Sequence, residues 1–347
     1  MTEKAGRRRG WPRARRRLAA DSPLVGGPVT PEPEIGGGPD SSAGAEEPGL
    51  IPAFDPRPDD FASPEPLPQP STDGETLHEL LPPDEPERGL DDWGRSEPFI
   101  ERMQPLLEFY YRYWFRVETK GIENVPSQGG ALLVSNHSGA LPPDAPMVME
   151  ALRNEHPNPR PLYMLGENWF KGFPGVGMMA NKIGMVSAHR ANAQRLLRDE
   201  GKLAIVFPEG QKGSRKLLWQ RYRLRRFGRG GFVRTAIRAQ VPIVPIAVVG
   251  AEEAMPIFAH LRPLQRVSGL IYFPLNHAFP HFGLAAGLMY LPAKFKIEFL
   301  EPIDMSEYDP EVAEDAGVVQ AISEDIRARI QTRLERMLVR RDSVWFG

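Results

Sequence analysis

The stretch that decides the fold is Ala131-Leu132-Leu133-Val134-Ser135-Asn136-His137-Ser138-Gly139-Ala140-Leu141-Pro142-Pro143-Asp144. Its first five residues form a short apolar run of the kind found in strands buried on both faces. Asn136, Gly139, Pro142 and Pro143 then mark a loop, and an apolar helix is expected over about 144–153. Strand, loop and helix in that order put His137 at the carboxyl end of a strand, where ligands sit in open α/β sheets.

The same alternation continues downstream. Strands are expected over 161–165, 203–207 (LAIVF), 243–249 (IVPIAVV) and 294–299 (KFKIEF), and helices over 190–200 and 231–239. The last element is long and amphipathic, with Val319, Ile322, Ile326, Ile330, Leu334 and Met337 recurring at three- and four-residue steps. Short apolar strands alternating with helices argue for an α/β domain, a mostly parallel central sheet flanked by helices. Upstream, 97–116 reads as a helix carrying Phe99, Phe109, Tyr110, Tyr111, Tyr113, Trp114 and Phe115, with Pro105 expected to break or kink it. Beside Arg102, Arg112 and Arg116 these aromatics suit either an interfacial membrane helix or a helix packed on its own domain.

Ahead of that helix the composition changes. Residues 1–20 carry a balance of +7 charges, and residues 21–90 a balance of −14 together with 16 prolines. Such a segment cannot bury enough apolar area to offset its ordering entropy, so 1–90 is expected to be a disordered tail and 91–347 one domain. That domain has a balance of +5, which suits anionic ligands or a membrane surface. The chain has no cysteine, which removes disulfides, thiolate metal sites and cysteine nucleophiles and fits a reducing compartment. No run of about 18 apolar residues predicts a spanning helix, and the basic N-terminus lacks the apolar region of a secretory signal.

Three segments can carry chemistry. His137 can titrate near neutrality and take a proton from an attacking hydroxyl, with a carboxylate such as Asp144 fixing its tautomer. On spacing alone His137 can equally be structural and Asp144 the N-cap of its helix. Val206-Phe207-Pro208-Glu209-Gly210 again runs from strand to loop; Glu209 can bind a polyol hydroxyl or pair with the arginines that follow. Over 212–234 nine basic residues, Lys212 first among them, interleave with Trp219, Tyr222 and Phe227. That run suits nucleic acid, a phosphorylated cofactor, lipid head groups or a solvated loop. There is no G-x-S-x-G elbow, phosphate loop or H-E-x-x-H motif. His277 and His281 stand four apart around Pro280 with no acidic neighbour, so no metal site is expected.

In this order the segments resemble the glycerolipid acyltransferase family, which includes the enzymes that acylate lysophosphatidic acid, over about 91–304. Asn136-His137…Asp144 is similar to the family's catalytic His–Asp motif. Gly184…Arg190 resembles its second, Phe207-Pro208-Glu209-Gly210 its third, and Val241-Pro242-Ile243-Val244-Pro245 its fourth. The usual first motif has four residues between His and Asp; here six intervene. The form N-H-S-G-x-L-P-x-D is similar to a bacterial branch of the family, and its extra residues can loop out and still return Asp144 to His137.

The resemblance implies a single acyltransferase domain and an O-acyltransferase activity. A fatty acyl group would pass from acyl-CoA or acyl carrier protein to a hydroxyl of a lipid acceptor, such as a lysophospholipid or related glycerolipid. His137 and Asp144 would be catalytic, and Asn136, Arg190, Glu209, Gly210 and Lys212 would bind substrate. No cofactor or metal is implied, the acyl thioester being a co-substrate. The expected partners are that thioester and membrane lipids, with the protein peripheral on the cytoplasmic face of the membrane. The apolar, proline-broken stretch 269–292 is expected to line an acyl tunnel or dip into one leaflet. Two rivals remain at this point: a non-catalytic lipid-binding or membrane-adaptor protein on the same fold, and a nucleic-acid-binding protein using the basic runs, for which no nucleic-acid motif is present.

Overall fold

The computed structural model describes residues 89–139, 142–166, 176–261, 263–265, 274–278, 281–282 and 289–347. The expected disordered tail thus falls almost wholly outside the described residues, as does much of 269–292.

Strand β2 (Ala131–Ser135) lies at the centre of a seven-stranded sheet. β5 (Leu203–Val206) flanks it on one side and β6 (Ile243–Val249) on the other, both parallel. Beyond β5 follow β3 (Leu162–Gly166) and β4 (Met185–Ser187), also parallel. Beyond β6 the direction reverses once: β9 (Lys296–Phe299) pairs antiparallel with β6, and β1 (Glu118–Lys120) closes the edge parallel to β9. The mostly parallel sheet expected from the sequence is therefore present, with one antiparallel junction. A separate two-stranded ribbon joins β7 (Ala259–His260) to β8 (Pro274–Leu275).

Period-two alternation sends successive β2 side chains into different cores. Ala131 and Leu133 join Leu203, Ile205, Val244, Ile246 and Val248 on one face. Leu132 and Val134 join Ala204, Ile243, Ala247 and Val249 on the other. The first face is covered by α1 (Glu97–Glu108) with the segment after it and by α2 (Asp144–Glu155). Two short helices stand at the sheet edge beyond it, α3 (Val176–Lys182) and α4 (Arg190–Gln194). The second face is covered by α6 (Gly231–Ala239) and the long C-terminal α8 (Ala316–Val339). α8 buries Val319, Ile326, Ile330, Leu334 and Met337, the stripe read from the sequence. Fully burying each such side chain contributes about 1.5–3 kcal/mol before entropy is counted. Two further short helices follow strand ends, α5 (Gln211–Ser214) after β5 and α7 (Ala251–Ala254) after β6.

The aromatic helix does not end at Pro105. Ser96 caps it by accepting from the Phe99 N–H at 3.3 Å, and α1 runs through Pro105 to Glu108. Pro105 is exposed, so the carbonyl that its missing N–H leaves without a helical partner can turn to water. The turns then widen over Phe109–Trp114, where the Phe115 N–H reaches back to the Tyr110 carbonyl. Tyr111 and Phe115 are buried in the core while Leu106, Phe109 and Tyr113 are exposed, so the segment both packs on its own domain and presents an aromatic face outward.

Candidate active site

β2 ends at Ser135, and the next side chain extends its pairing. The Asn136 amide donates to the Val248 carbonyl at 2.9 Å and accepts from the Val248 N–H at 2.8 Å, taking the place of ladder bonds between β2 and β6. Asn136 is buried, so this reciprocal pair fixes the direction in which the chain delivers His137. Its amide is thereby committed to the scaffold.

His137 Nδ1 lies 3.1 Å from Asp144 Oδ2, with the imidazole 18% exposed and the carboxylate 1% exposed. The same oxygen accepts from the Ser138 N–H at 2.9 Å and from the Ser138 hydroxyl at 3.2 Å. The six intervening residues thus bring Asp144 back to His137. Asp144 is the first residue of α2, and the N-cap position is held by Pro143. The N-cap alternative is replaced by a carboxylate whose Oδ2 serves the loop and whose Oδ1 accepts from the adjacent Ala145 N–H at 3.0 Å. With Nδ1 donating to Asp144, the tautomer assigned by this contact leaves Nε2 as the acceptor. The Phe207 ring stacks on the imidazole with centroids 4.3 Å apart and planes 21° apart, which restricts its rotation.

β5 delivers the second segment. Gly210 has φ 53 and ψ −147, a backbone region essentially confined to glycine, and it turns the chain sharply into α5. Gly213 then passes close behind the dyad. A Cβ there would stand 2.6 Å from Glu209 Cβ and 3.2 Å from His137 Cβ, so only glycine lets the two loops meet. Glu209 is buried and both its oxygens are engaged. Oε1 accepts from the His137 N–H at 3.2 Å and from Lys216 Nζ at 3.3 Å, and Oε2 accepts from the Arg225 N–H at 2.8 Å. Of the two sequence alternatives for Glu209, the structure places it with a lysine and two peptide groups. Lys212 stands exposed on α5, two residues past Gly210.

Arg190 is not brought to this cluster. It is exposed at the start of α4, which follows edge strand β4, three strand positions from β2. Together with Arg238, the largest contributor, and Arg234, it holds the exposed Glu314 carboxyl below its usual range. Tyr290, in the described end of the 269–292 stretch, packs edge-on against Tyr110 and Phe115. Burial above all, then Tyr110 and the Asp144 charge, pushes its phenol well up. Among the described residues no group of three or more His, Asp or Glu side chains is arranged to hold a metal.

Sequence reading missed Lys216 and Glu252. Lys216 was merged into the basic run, although it alone there precedes two leucines and is buried. Glu252 sits in Val-Val-Gly-Ala-Glu-Glu-Ala-Met, an acidic pair inside an apolar stretch, which was the available signal.

A family model described as Acyltransferase matches residues 116–249, the span holding His137, Asp144, Glu209 and Gly210. An uncharacterized protein of Mycobacterium tuberculosis is 42% identical over 259 residues, covering 74% of this chain and 72% of its own length. The DGAT1/2-independent enzyme synthesizing storage lipids of Gallus gallus is 24% identical over 246 residues, 70% of this chain and 65% of its own. Among solved structures, the 1-acyl-sn-glycerophosphate acyltransferase PlsC of Thermotoga maritima matches with a TM-score of 0.45 and 17% identity, over 68% of this chain and 79% of its own. The chain belongs to the acyltransferase family, and it is an acyltransferase.

Proposed function

We propose that the protein transfers a fatty acyl group from the thioester of coenzyme A or acyl carrier protein to a hydroxyl of a lipid acceptor, a lysophospholipid or related glycerolipid. The observation that carries this reading is the His137–Asp144 contact at 3.1 Å with Nε2 left as acceptor. Nε2 takes the proton of the acceptor hydroxyl as its oxygen attacks the thioester carbonyl. The tetrahedral intermediate collapses, the C–S bond breaks, and the thiolate recovers the proton from the imidazolium. A thiol leaves readily, so no covalent enzyme intermediate is needed. The His137–Asp144 contact favours this reading over a non-catalytic adaptor on the same fold.

Exposed Arg223, Arg225, Arg226 and Arg229 stand on the loop whose Arg225 N–H bonds Glu209, giving the site a cationic rim that suits phosphoryl groups of donor or acceptor. Exposed Leu106, Phe109 and Tyr113 beside Arg102 and Arg112 suit peripheral attachment to an anionic membrane on the cytoplasmic face. Among the described residues no helix is long and apolar enough to cross a membrane.

The test is product formation from labelled palmitoyl-CoA and palmitoyl carrier protein with lysophosphatidic acid, other lysophospholipids, monoacylglycerol and diacylglycerol. Acceptor-dependent label in a lipid product is expected. No product from any donor–acceptor pair would sink the lipid O-acyltransferase reading.

A further inference from the structure

Behind the dyad lies a buried charge cluster that the proton-transfer scheme does not use. Lys216 Nζ stands 3.3 Å from Glu209 Oε1 and 2.8 Å from Glu252 Oε1, with side-chain exposures of 1% for the lysine and 0% and 6% for the two carboxylates. Glu252 Oε1 also accepts from the Tyr222 N–H at 3.2 Å. One ammonium between two buried carboxylates is a poor source of stability, because the desolvation of three charges opposes their attraction. What the cluster orients is more telling. The oxygen of Glu209 that meets Lys216 is the one that holds the peptide N–H of His137.

We propose that Lys216 and Glu252 are positioning residues for acyl transfer, Glu252 seating the ammonium and Lys216 holding Glu209 aimed at the His137 peptide. On this account Glu209 acts through His137 rather than on the acceptor. The peptide hold, the Asp144 contact and the Phe207 ring together fix the imidazole from three sides. The proposal rests on the reading of His137 as the general base.

The charged groups facing the cluster are Glu209 after β5, Lys216 after α5 and Glu252 on α7; the peptide N–H groups of His137, Tyr222 and Arg225 are its neutral donors. The neighbouring Glu253 is taken up by Arg341 and Arg221. Burial pushes the Glu252 carboxyl up to about 7, Lys216 opposes this, and the Glu209 charge adds to it. Removing Lys216 leaves two buried carboxylates facing each other without the cation between them, so Glu209 would no longer be held at the His137 peptide.

The experiment compares the full chain with Lys216→Met, Glu252→Gln and the double variant, measuring kcat, KM and hydrogen exchange at the His137 amide. Lys216→Met is expected to lose about 10²-fold in kcat, as for a misplaced catalytic group. Both KM values should be unchanged, and its His137 amide should exchange faster. The double variant, which also lacks the second carboxylate facing Glu209, should regain much of the loss. A loss in kcat with unchanged His137 exchange would assign Lys216 to folding alone and overturn the proposal. Additive effects of the two substitutions would overturn it too. Should Lys216→Met fail to fold, the double variant and Glu252→Gln still report the exchange at His137. If the intact protein shows no transfer, the acyl-transfer reading fails by itself, and the exchange measurement still decides whether Lys216 holds His137.

Discussion

Replacing Asp144 with asparagine keeps the shape of the side chain and removes its charge. In the native site Asp144 Oδ2 meets His137 Nδ1 at 3.1 Å and accepts two bonds from Ser138, nearly out of contact with water. When His137 takes the acceptor proton, an imidazolium forms against that carboxylate. At an effective dielectric of ~20 the attraction at this separation is about 5.4 kcal/mol. Since ~1.4 kcal/mol is tenfold in rate, the substitution should slow the chemical step about 10⁴-fold, at the upper end of the ~10²–10⁴ range of general-base catalysis. The assay is single-turnover acyl transfer at saturating donor and acceptor, with urea unfolding run in parallel to show that the variant is folded. KM should hold, and His137→Ala combined with Asp144→Asn should be no slower than His137→Ala alone, because the two act as one unit. A loss below about tenfold in a folded variant, or multiplicative losses in the double variant, would refute the reasoning.

Three further outcomes follow from the geometry. Gly213→Ala forces a methyl to within 2.6 Å of Glu209 Cβ and 3.2 Å of His137 Cβ; overpacking of this kind costs about 1–3 kcal/mol, so thermal melting should drop together with kcat, and a variant equal to wild type in both would contradict the close approach. Arg341→Met strips the buried Glu253 of its partner at 2.9 Å and should lower urea-unfolding stability by about 3–5 kcal/mol, as for other broken buried pairs. Burial raises Glu252 from an ordinary 4.5 to about 7, so the native state binds that proton better than the unfolded chain does. Wild-type stability relative to Glu252→Gln should therefore fall as pH climbs through that window and level off above it, and denaturation at a series of pH values that found the opposite slope would refute the assignment.

Much of this architecture was legible because burial on both faces leaves a simple signature. Ala131–Ser135, Ile243–Val249 and Gly231–Ala239 stand where their apolar runs and glycine boundaries put them. The short strands β1 and β4 carry too few residues for a period to show, and the antiparallel junction at β9 depends on pairing that no local pattern encodes. At the site, His137, Asp144 and Glu209 were readable as residue types in a suggestive order. Their partnerships were not. The contact from Glu209 to the His137 peptide spans 72 positions of sequence, and Lys216 reaches Glu252 across 36. Asn136 illustrates the same limit, since its polar amide is directed to Val248 of the next strand and only the fold places that strand beside it.

The central claim is that His137 is the base of an acyl transfer, and it is tested most directly by thiol release from long-chain acyl-CoA, or acyl carrier protein, with and without lipid acceptor. The intact protein is compared with His137→Ala. Acceptor-dependent release that falls by about 10²-fold or more in a folded His137→Ala variant is the predicted result. Release that persists at wild-type rate in that variant would contradict it.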